Sequence, residues 1–129
     1  TKQPLELLTH ITLPPPRGWR AHYIKLRRRG SFDFPVLGVA AAARFEDGRV
    51  TAARIRVGGV GSNPRANPEA ERRLVGSTLD DEAIAEAARL AAVPVRPLDN
   101  TDFVMGWRKK VTAVHVRRAL ERLREPALA

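Results

Sequence analysis

The spacing of the apolar residues changes midway along this 129-residue chain, and that change limits the folds that the chain can adopt. In the first half, apolar and polar residues alternate in short runs, which predicts β-strands. In the second half, apolar residues recur at every third or fourth position, which predicts helices. Strands followed by helices favour an α+β fold. We therefore expect a three- or four-stranded antiparallel sheet with three helices packed on one face.

The first two predicted strands are residues 5–13 and 20–28. A run of prolines directly after the first strand stops it, because proline cannot donate a hydrogen bond to a β-ladder. In the second strand, polar side chains alternate with apolar ones, which separates a solvated face from a buried face. Tyr23 and Lys25 lie on the predicted solvated face.

The next two predicted strands form a hairpin around Asp47-Gly48, a dipeptide typical of a two-residue turn. Residues 35–45, before the turn, lack alternation until their end, which suits a strand that is covered on both faces. Alternation resumes over residues 50–57, after the turn. The glycine-rich run at residues 58–62 lacks the spacing of a phosphate-binding loop. We interpret it as the end of a strand, where the glycines allow either a bulge or a close approach of two backbones.

Three helices are predicted in the second half, and they end near residues 76, 92 and 124. Each is preceded by a residue whose side chain can accept a hydrogen bond from a backbone N–H group at the helix start. The apolar residues of the third helix form a stripe, which predicts a face packed against the core. The predicted N-caps are Asn67, Thr78 and either Thr101 or Asp102, and the stripe consists of Ala113, Val116, Leu120 and Leu123.

The residue content of the chain excludes several kinds of site. The sequence contains no cysteine, which excludes disulfides, thiolate metal sites and cysteine nucleophiles within it. The three histidines, His10, His22 and His115, share no metal-ligand spacing, and no serine lies in a G-x-S-x-G motif. No apolar run has the length of a membrane span. We therefore assign the chain no metal site and no catalytic residue.

The net charge of +9 attracts anionic partners such as nucleic acid, anionic lipid or a phosphorylated ligand. Beside the basic run Arg27–Arg29, the aromatic residues are Tyr23, Phe32 and Phe34. Proteins that bind single strands usually interleave aromatic stacking surfaces with their charges, so a basic nucleic-acid-binding module is the weaker alternative. A solvated or subunit-facing surface explains the charge more simply.

Two further features fit either a structural or a binding role. The polar group Asp99–Asp102 can cap a helix, or it can hold a neighbouring subunit or the polar edge of a ligand. Trp107 is followed by basic residues, so it can anchor an interface, and it can equally fill the core. The sequence leaves both alternatives open.

The stretch YIKLRRRGSFDFPVLGVAAAA, residues 23–43, resembles the C-terminal domain of the FAD-binding medium subunit of the xanthine oxidase and carbon monoxide dehydrogenase family, the molybdenum hydroxylases. The similarity covers nearly the whole chain, because four more segments occur in the order found in that family. These segments are ELLTHITLP at 6–14, FEDGRVTAARIRVGGV at 45–60, GSTLDDEAIAEAARLAA at 76–92 and WRKKVTAVHVRRALE at 107–121.

The resemblance implies a subunit that carries electrons from iron–sulfur clusters to an external acceptor through FAD, in a cytoplasmic complex. The implied partners are a small iron–sulfur subunit and a large subunit that holds the molybdenum cofactor and performs the substrate chemistry. The family binds FAD mostly through an upstream domain with glycine-rich loops. Residues 1–129 are therefore expected to be a single domain, a fragment without that upstream domain, and not catalytic in isolation.

The resemblance also implies two cofactor-binding residues, Lys25 and Leu8. Lys25 matches a lysine that reaches the flavin, and Leu8 matches a leucine that lines the same site. A cation there stabilises the negative charge that builds on a reduced flavin and hydrogen-bonds its oxygens. An exposed strand lysine without a ligand is the structural alternative for Lys25. The segment PLDNTDFVMGWRKK, residues 97–110, resembles the 4-hydroxybenzoyl-CoA reductase branch, which implies an aromatic acyl-CoA as the substrate of the parent complex.

Overall fold

The structure, a computed structural model, describes residues 3–31, 33–99 and 103–124. These residues form a four-stranded antiparallel sheet, in the order β1-β2-β3-β4, followed by three helices. The predicted α+β fold is confirmed. The strands are β1 (Trp19–Leu26), β2 (Leu37–Glu46), β3 (Arg49–Gly58) and β4 (Arg65–Ala66), and the helices are α1 (Pro68–Leu74), α2 (Asp81–Ala92) and α3 (Met105–Arg124).

The predicted hairpin at Asp47-Gly48 is confirmed. Asp47 and Gly48 have φ angles of 49° and 75°, and Glu46 pairs with Arg49 across the turn. Two consecutive positive φ angles give a turn whose twist matches that of the flanking strands. The hairpin therefore sets the register of β2 and β3 up to a β-bulge beside Arg44.

The hydrophobic core lies between one face of the sheet and the helices. Helix α3 packs across β1 and β2, α1 packs against β3, and α2 contacts both other helices. No helix within the described ranges is long and apolar enough to cross a membrane. The buried positions include Val39, Ala41 and Ala43 from β2, Ile55 and Val57 from β3, and the predicted stripe residues Val116, Leu120 and Leu123 from α3.

The prediction that β2 is covered on both faces is wrong. Ala41 is 2% exposed, whereas its neighbour Ala40 is exposed on the opposite face. The helices cover only the side of Ala41, and the other face of the sheet is open. Hydropathy could not separate the two faces because alanine occupies both.

The predicted strand at residues 5–13 is absent. These residues are exposed and pair with no strand of the described chain. A strand forms only where its backbone N–H and C=O groups find a ladder partner, which apolar spacing alone does not supply. The exposed apolar side chains of this stretch are Leu5, Leu7, Leu8, Ile11 and Leu13.

Of the two predicted helix caps that lie in the described residues, one is at the observed N-cap position, and neither makes the predicted capping hydrogen bond. Thr78 does not cap α2; the N-cap is Asp80, whose Oδ1 accepts from the Ala83 N–H at 2.9 Å. Asn67 precedes α1, but its side chain makes no capping hydrogen bond and donates instead to the Arg65 carbonyl. The two alternative caps of α3 lie outside the described residues.

A buried arginine of α3 joins three connections of the chain. Arg108 is 1% exposed, and its guanidinium donates to the carbonyl oxygens of Val36 at 3.1 Å, Leu98 at 2.6 Å and Gly59. Gly59 has a φ of +76°, and a Cβ there would lie 3.2 Å from the carbonyl oxygens of Pro35 and Val36. The predicted close approach of backbones after β3 is therefore confirmed, and Arg108 holds it together.

Replacing Arg108 is expected to destabilise the fold strongly. Arg108→Ala leaves buried carbonyl groups without a donor, at an expected total of about 3 kcal/mol or more. Arg108→Lys should recover only part of this loss, because one ammonium cannot reach three separated carbonyls as a planar guanidinium does. Urea unfolding of the chain measures the change, with Lys110→Ala on the exposed side of α3 as the control. Equal unfolding midpoints for Arg108→Ala and Lys110→Ala would contradict the assignment.

Candidate functional site

The open face of the sheet carries the candidate site, because Lys25 lies on it. In the register of the sheet, Lys25 pairs with Gly38 of β2, and Gly38 pairs with Gly58 of β3. The row that crosses three strands at this level therefore holds a single side chain, that of Lys25. The neighbours of the lysine in this row have no side chain, and the nearer one, Gly38, is buried.

The space beside Lys25 has one wall. A Cβ built on Gly38 would lie 2.9 Å from the phenol oxygen of Tyr23, so the tyrosine ring closes over that glycine. At Gly58, the nearest atom to a built Cβ is the Gly38 carbonyl oxygen, at 4.0 Å. The two glycines thus form a shallow cradle that is bounded by Tyr23 and open above Gly58.

The ammonium of Lys25 is held by the loop that follows β1. Its Nζ donates to the backbone carbonyl of Asp33 at 2.7 Å. An ammonium has three N–H groups, and within the described residues this hydrogen bond uses one of them. The arrangement offers a fixed positive charge and further donors on the open face of the sheet, which suits a ligand with anionic or carbonyl oxygens.

The second predicted cofactor residue, Leu8, does not lie in a strand. Leu8 is 68% exposed and is not part of the hydrophobic core. No hydrogen bond or core contact of the described residues joins it to Lys25. The structure therefore places the two residues in separate surroundings, and the role of Leu8 stays a prediction.

The arginines on the open face already have partners in this chain. The Arg56 Nη1 lies 2.6 Å from a carboxylate oxygen of Glu71, and the Arg54 guanidinium lies over the Trp19 ring at 4.9 Å. A shallow trough of about 330 Å³ runs between these arginines and the alanines of β2. Paired arginines and an occupied aromatic ring are not the surface that a nucleic-acid strand requires, so that alternative is not favoured.

The remaining candidate residues have structural surroundings. His115 is 8% exposed, and its Nδ1 lies 2.9 Å from the Val111 carbonyl oxygen. Trp107 is 41% exposed and stacks on Phe103, so it does not fill the core. Across the described residues, no three or more His, Asp or Glu side chains converge as a metal site. Asp99 is exposed, and the other three members of its polar group lie outside the described residues.

Sequence reasoning missed the two glycines and Asp33 as parts of this site. Alternation identified the face of Lys25, but the residues opposite it depend on the register of β1 against β2. The signal that could have found the cradle is a glycine on the strand that follows Lys25 and another at the end of the next strand. Asp33 carried no signal of its own, because its contacts depend on the shape of a loop.

Comparison with known proteins places the chain in a family. The sequence model of one family, described as CO dehydrogenase flavoprotein C-terminal domain, matches residues 21–123. The carbon monoxide dehydrogenase medium chain of Afipia carboxidovorans is 33% identical over 126 residues, which cover 97% of this chain and 43% of that protein. The 6-hydroxypseudooxynicotine dehydrogenase complex subunit alpha of Paenarthrobacter nicotinovorans is 33% identical, over 91% of this chain and 40% of that protein.

Solved structures agree with these relatives. The reconstituted CO dehydrogenase from Oligotropha carboxidovorans superposes with a TM-score of 0.77 at 31% identity, over 85% of this chain and 38% of that chain. Quinoline 2-oxidoreductase from Pseudomonas putida superposes with a TM-score of 0.75 at 25% identity, over 83% of this chain and 36% of that chain. The chain thus spans about two fifths of the length of the curated relatives that it matches.

Proposed function

We infer the function from one premise: the chain belongs to the CO dehydrogenase flavoprotein C-terminal domain family. We propose that it is the C-terminal domain of a flavoprotein medium subunit in a molybdenum hydroxylase-type oxidoreductase complex. That subunit passes electrons between iron–sulfur clusters and an external acceptor through FAD. A small iron–sulfur subunit and a large molybdenum-cofactor subunit are the proposed partners, and the cytoplasm is the proposed location.

The position of Lys25 is the observation that carries the flavin assignment. Lys25 lies on the open sheet face in one row with two glycines, and its ammonium is held by the Asp33 carbonyl. FAD supplies the electron-carrying chemistry when it is bound. Lys25 would donate N–H groups to flavin oxygens and place a positive charge where negative charge accumulates. Gly58, which has open space above it, would let the ring system approach the strand backbone.

Finer assignments belong to the same proposal. We place Leu8 against the same flavin, as the family resemblance implies. We retain an aromatic acyl-CoA as the substrate of the complex, on the likeness of residues 97–110 to the 4-hydroxybenzoyl-CoA reductase branch. Turnover of the complete complex with 4-hydroxybenzoyl-CoA, with CO and with an aldehyde would separate these substrate classes.

The division of labour within the subunit predicts how the chain behaves alone. The 129 residues are expected to bind FAD weakly or not at all, because an upstream domain supplies most of the flavin contacts. The full subunit is expected to bind FAD stoichiometrically. Calorimetric titration of both proteins with FAD makes the comparison. Tight stoichiometric binding by the 129 residues alone would overturn the proposed division.

Removing the Lys25 ammonium is expected to change the flavin. In the full subunit, Lys25→Ala should weaken FAD binding by about tenfold or more, the usual effect of losing a charge-assisted hydrogen bond. The reduction potential of bound FAD should also become more negative, because the cation stabilises the reduced form. Lys25→Arg should retain most of both properties, and Lys110→Ala on α3 is the control for loss of charge. Unchanged FAD affinity and reduction potential in Lys25→Ala would show that Lys25 is an exposed strand lysine without a ligand.

Filling the glycine cradle tests the site without removing any charge. Gly58 has an ordinary strand conformation and open space beside it, so Gly58→Leu should fold. The added side chain should occupy the open space above Gly58, in the row of Lys25 and two strands away from it, and weaken FAD binding by the full subunit by about tenfold or more. Ala52→Leu adds a side chain of the same size to the same face of β3, farther from Lys25, and should bind FAD normally. Equal FAD affinities for the two variants would place the flavin elsewhere.

A further inference from the structure

One carboxylate shapes the loop that joins β1 to β2. The basic loop, residues 27–36, begins with three arginines and contains one acidic residue, Asp33. Asp33 Oδ2 accepts from the backbone N–H groups of Arg28 at 3.0 Å and Arg29 at 3.3 Å. Its Oδ1 accepts from the N–H of Phe34 at 2.9 Å. Both carboxylate oxygens are therefore bound to main chain, and they tie the start of the loop to its later part.

The carboxylate of Asp33 is ionised at neutral pH. Desolvation raises its pKa, but the three backbone N–H donors and the positive charge of Arg29 together outweigh that effect, and the pKa lies below its ordinary value. An ionised carboxylate accepts stronger hydrogen bonds than a neutral acid. The fold of the basic loop therefore rests on a full negative charge at Asp33.

The main chain of Asp33 contacts Lys25, whereas its side chain contacts the basic loop. Its carbonyl oxygen accepts from Lys25 Nζ at 2.7 Å, across eight positions of sequence. The lysine can reach that oxygen only when the basic loop is folded back over the end of β1. The side chain of Asp33 maintains that fold, and the fold brings the Asp33 carbonyl within hydrogen-bonding distance of Lys25.

The two ends of the basic loop are fixed without Asp33. The Val36 N–H donates to the Leu26 carbonyl at 2.8 Å, and Arg108 donates to the Val36 carbonyl at 3.1 Å. These contacts close the base of the loop, whereas the hydrogen bonds to Asp33 order its middle. Loss of the Asp33 carboxylate should therefore release the middle of the loop and leave the sheet intact.

We propose that Asp33 is a positioning residue for Lys25: its carboxylate folds the basic loop so that its own carbonyl oxygen holds the lysine ammonium in a fixed position at the end of β1. The proposal rests on the proposed function of Lys25 at the flavin. Asp33 acts through the lysine, since a carboxylate by itself would oppose added negative charge on a ligand. Its effect on FAD should therefore require Lys25.

A double-mutant cycle in the full subunit tests this dependence. Asp33→Ala should weaken FAD binding by about threefold or more and shift the flavin potential in the same direction as Lys25→Ala. The double variant Asp33→Ala/Lys25→Ala should be no worse than Lys25→Ala alone. Asp33→Asn should restore part of the effect, because its amide oxygen can still accept a backbone hydrogen bond. Glu46→Ala removes an exposed carboxylate elsewhere and is the control for charge.

A crystal structure of the Asp33→Ala subunit provides a readout that does not depend on FAD. Lys25 Nζ is expected to leave the carbonyl of residue 33, and the urea unfolding midpoint is expected to stay close to that of the unmodified subunit. If Asp33→Ala fails to fold, Asp33→Ser takes its place in both experiments. A lysine that keeps its hydrogen bond in the alanine or serine variant overturns the proposal, and so do additive effects of Asp33 and Lys25 substitutions on FAD. If Lys25→Ala leaves FAD unchanged, the proposed function of Lys25 fails, and the lysine position still decides the role of Asp33.

Discussion

The buried guanidinium of Arg108 is the interaction on which the rest of the structure depends. It donates hydrogen bonds to carbonyl oxygens in the connection before β2, in the turn after β3 and in the chain before α3. These segments belong to no ladder or helix that could supply donors, and buried carbonyls without donors are costly. One side chain of the helical layer therefore fixes the segment that leads into β2 and the segment that follows β3. The same contact holds Val36, the last residue of the basic loop.

Features that depend on neighbours in sequence were predictable, and features that depend on neighbours in space were not. The Asp47-Gly48 turn and the alternation of β1 follow from local conformational preference and side-chain period. The strand at residues 5–13 failed because no partner strand lies beside it. The two-sided cover of β2 failed because alanine is common on buried and open surfaces alike. Arg108 was not predicted, since nothing in a basic helix start distinguishes the one arginine that turns inward.

The candidate site was predictable at one residue. Family resemblance identified Lys25, and alternation placed it on the open face of the sheet. The glycines beside it became visible only with the register of three strands, and Asp33 only with the conformation of the basic loop. A hydrogen bond between residues eight positions apart has no periodic signature, because loop shape rather than spacing brings them together. The place of Leu8 is still the prediction that the resemblance made.

The glycine cradle constrains how this protein can vary. A surface built from side chains can exchange one group for another of similar size, but Gly38 and Gly58 have no side chain to exchange, and every replacement adds atoms. Change at these two positions can only shrink the space beside Lys25. A ligand that lies above Gly58 contacts peptide groups, whose positions follow from strand pairing and not from residue identity. Substitutions elsewhere on the open face therefore leave these peptide groups in place, as long as the pairing of β1, β2 and β3 is preserved.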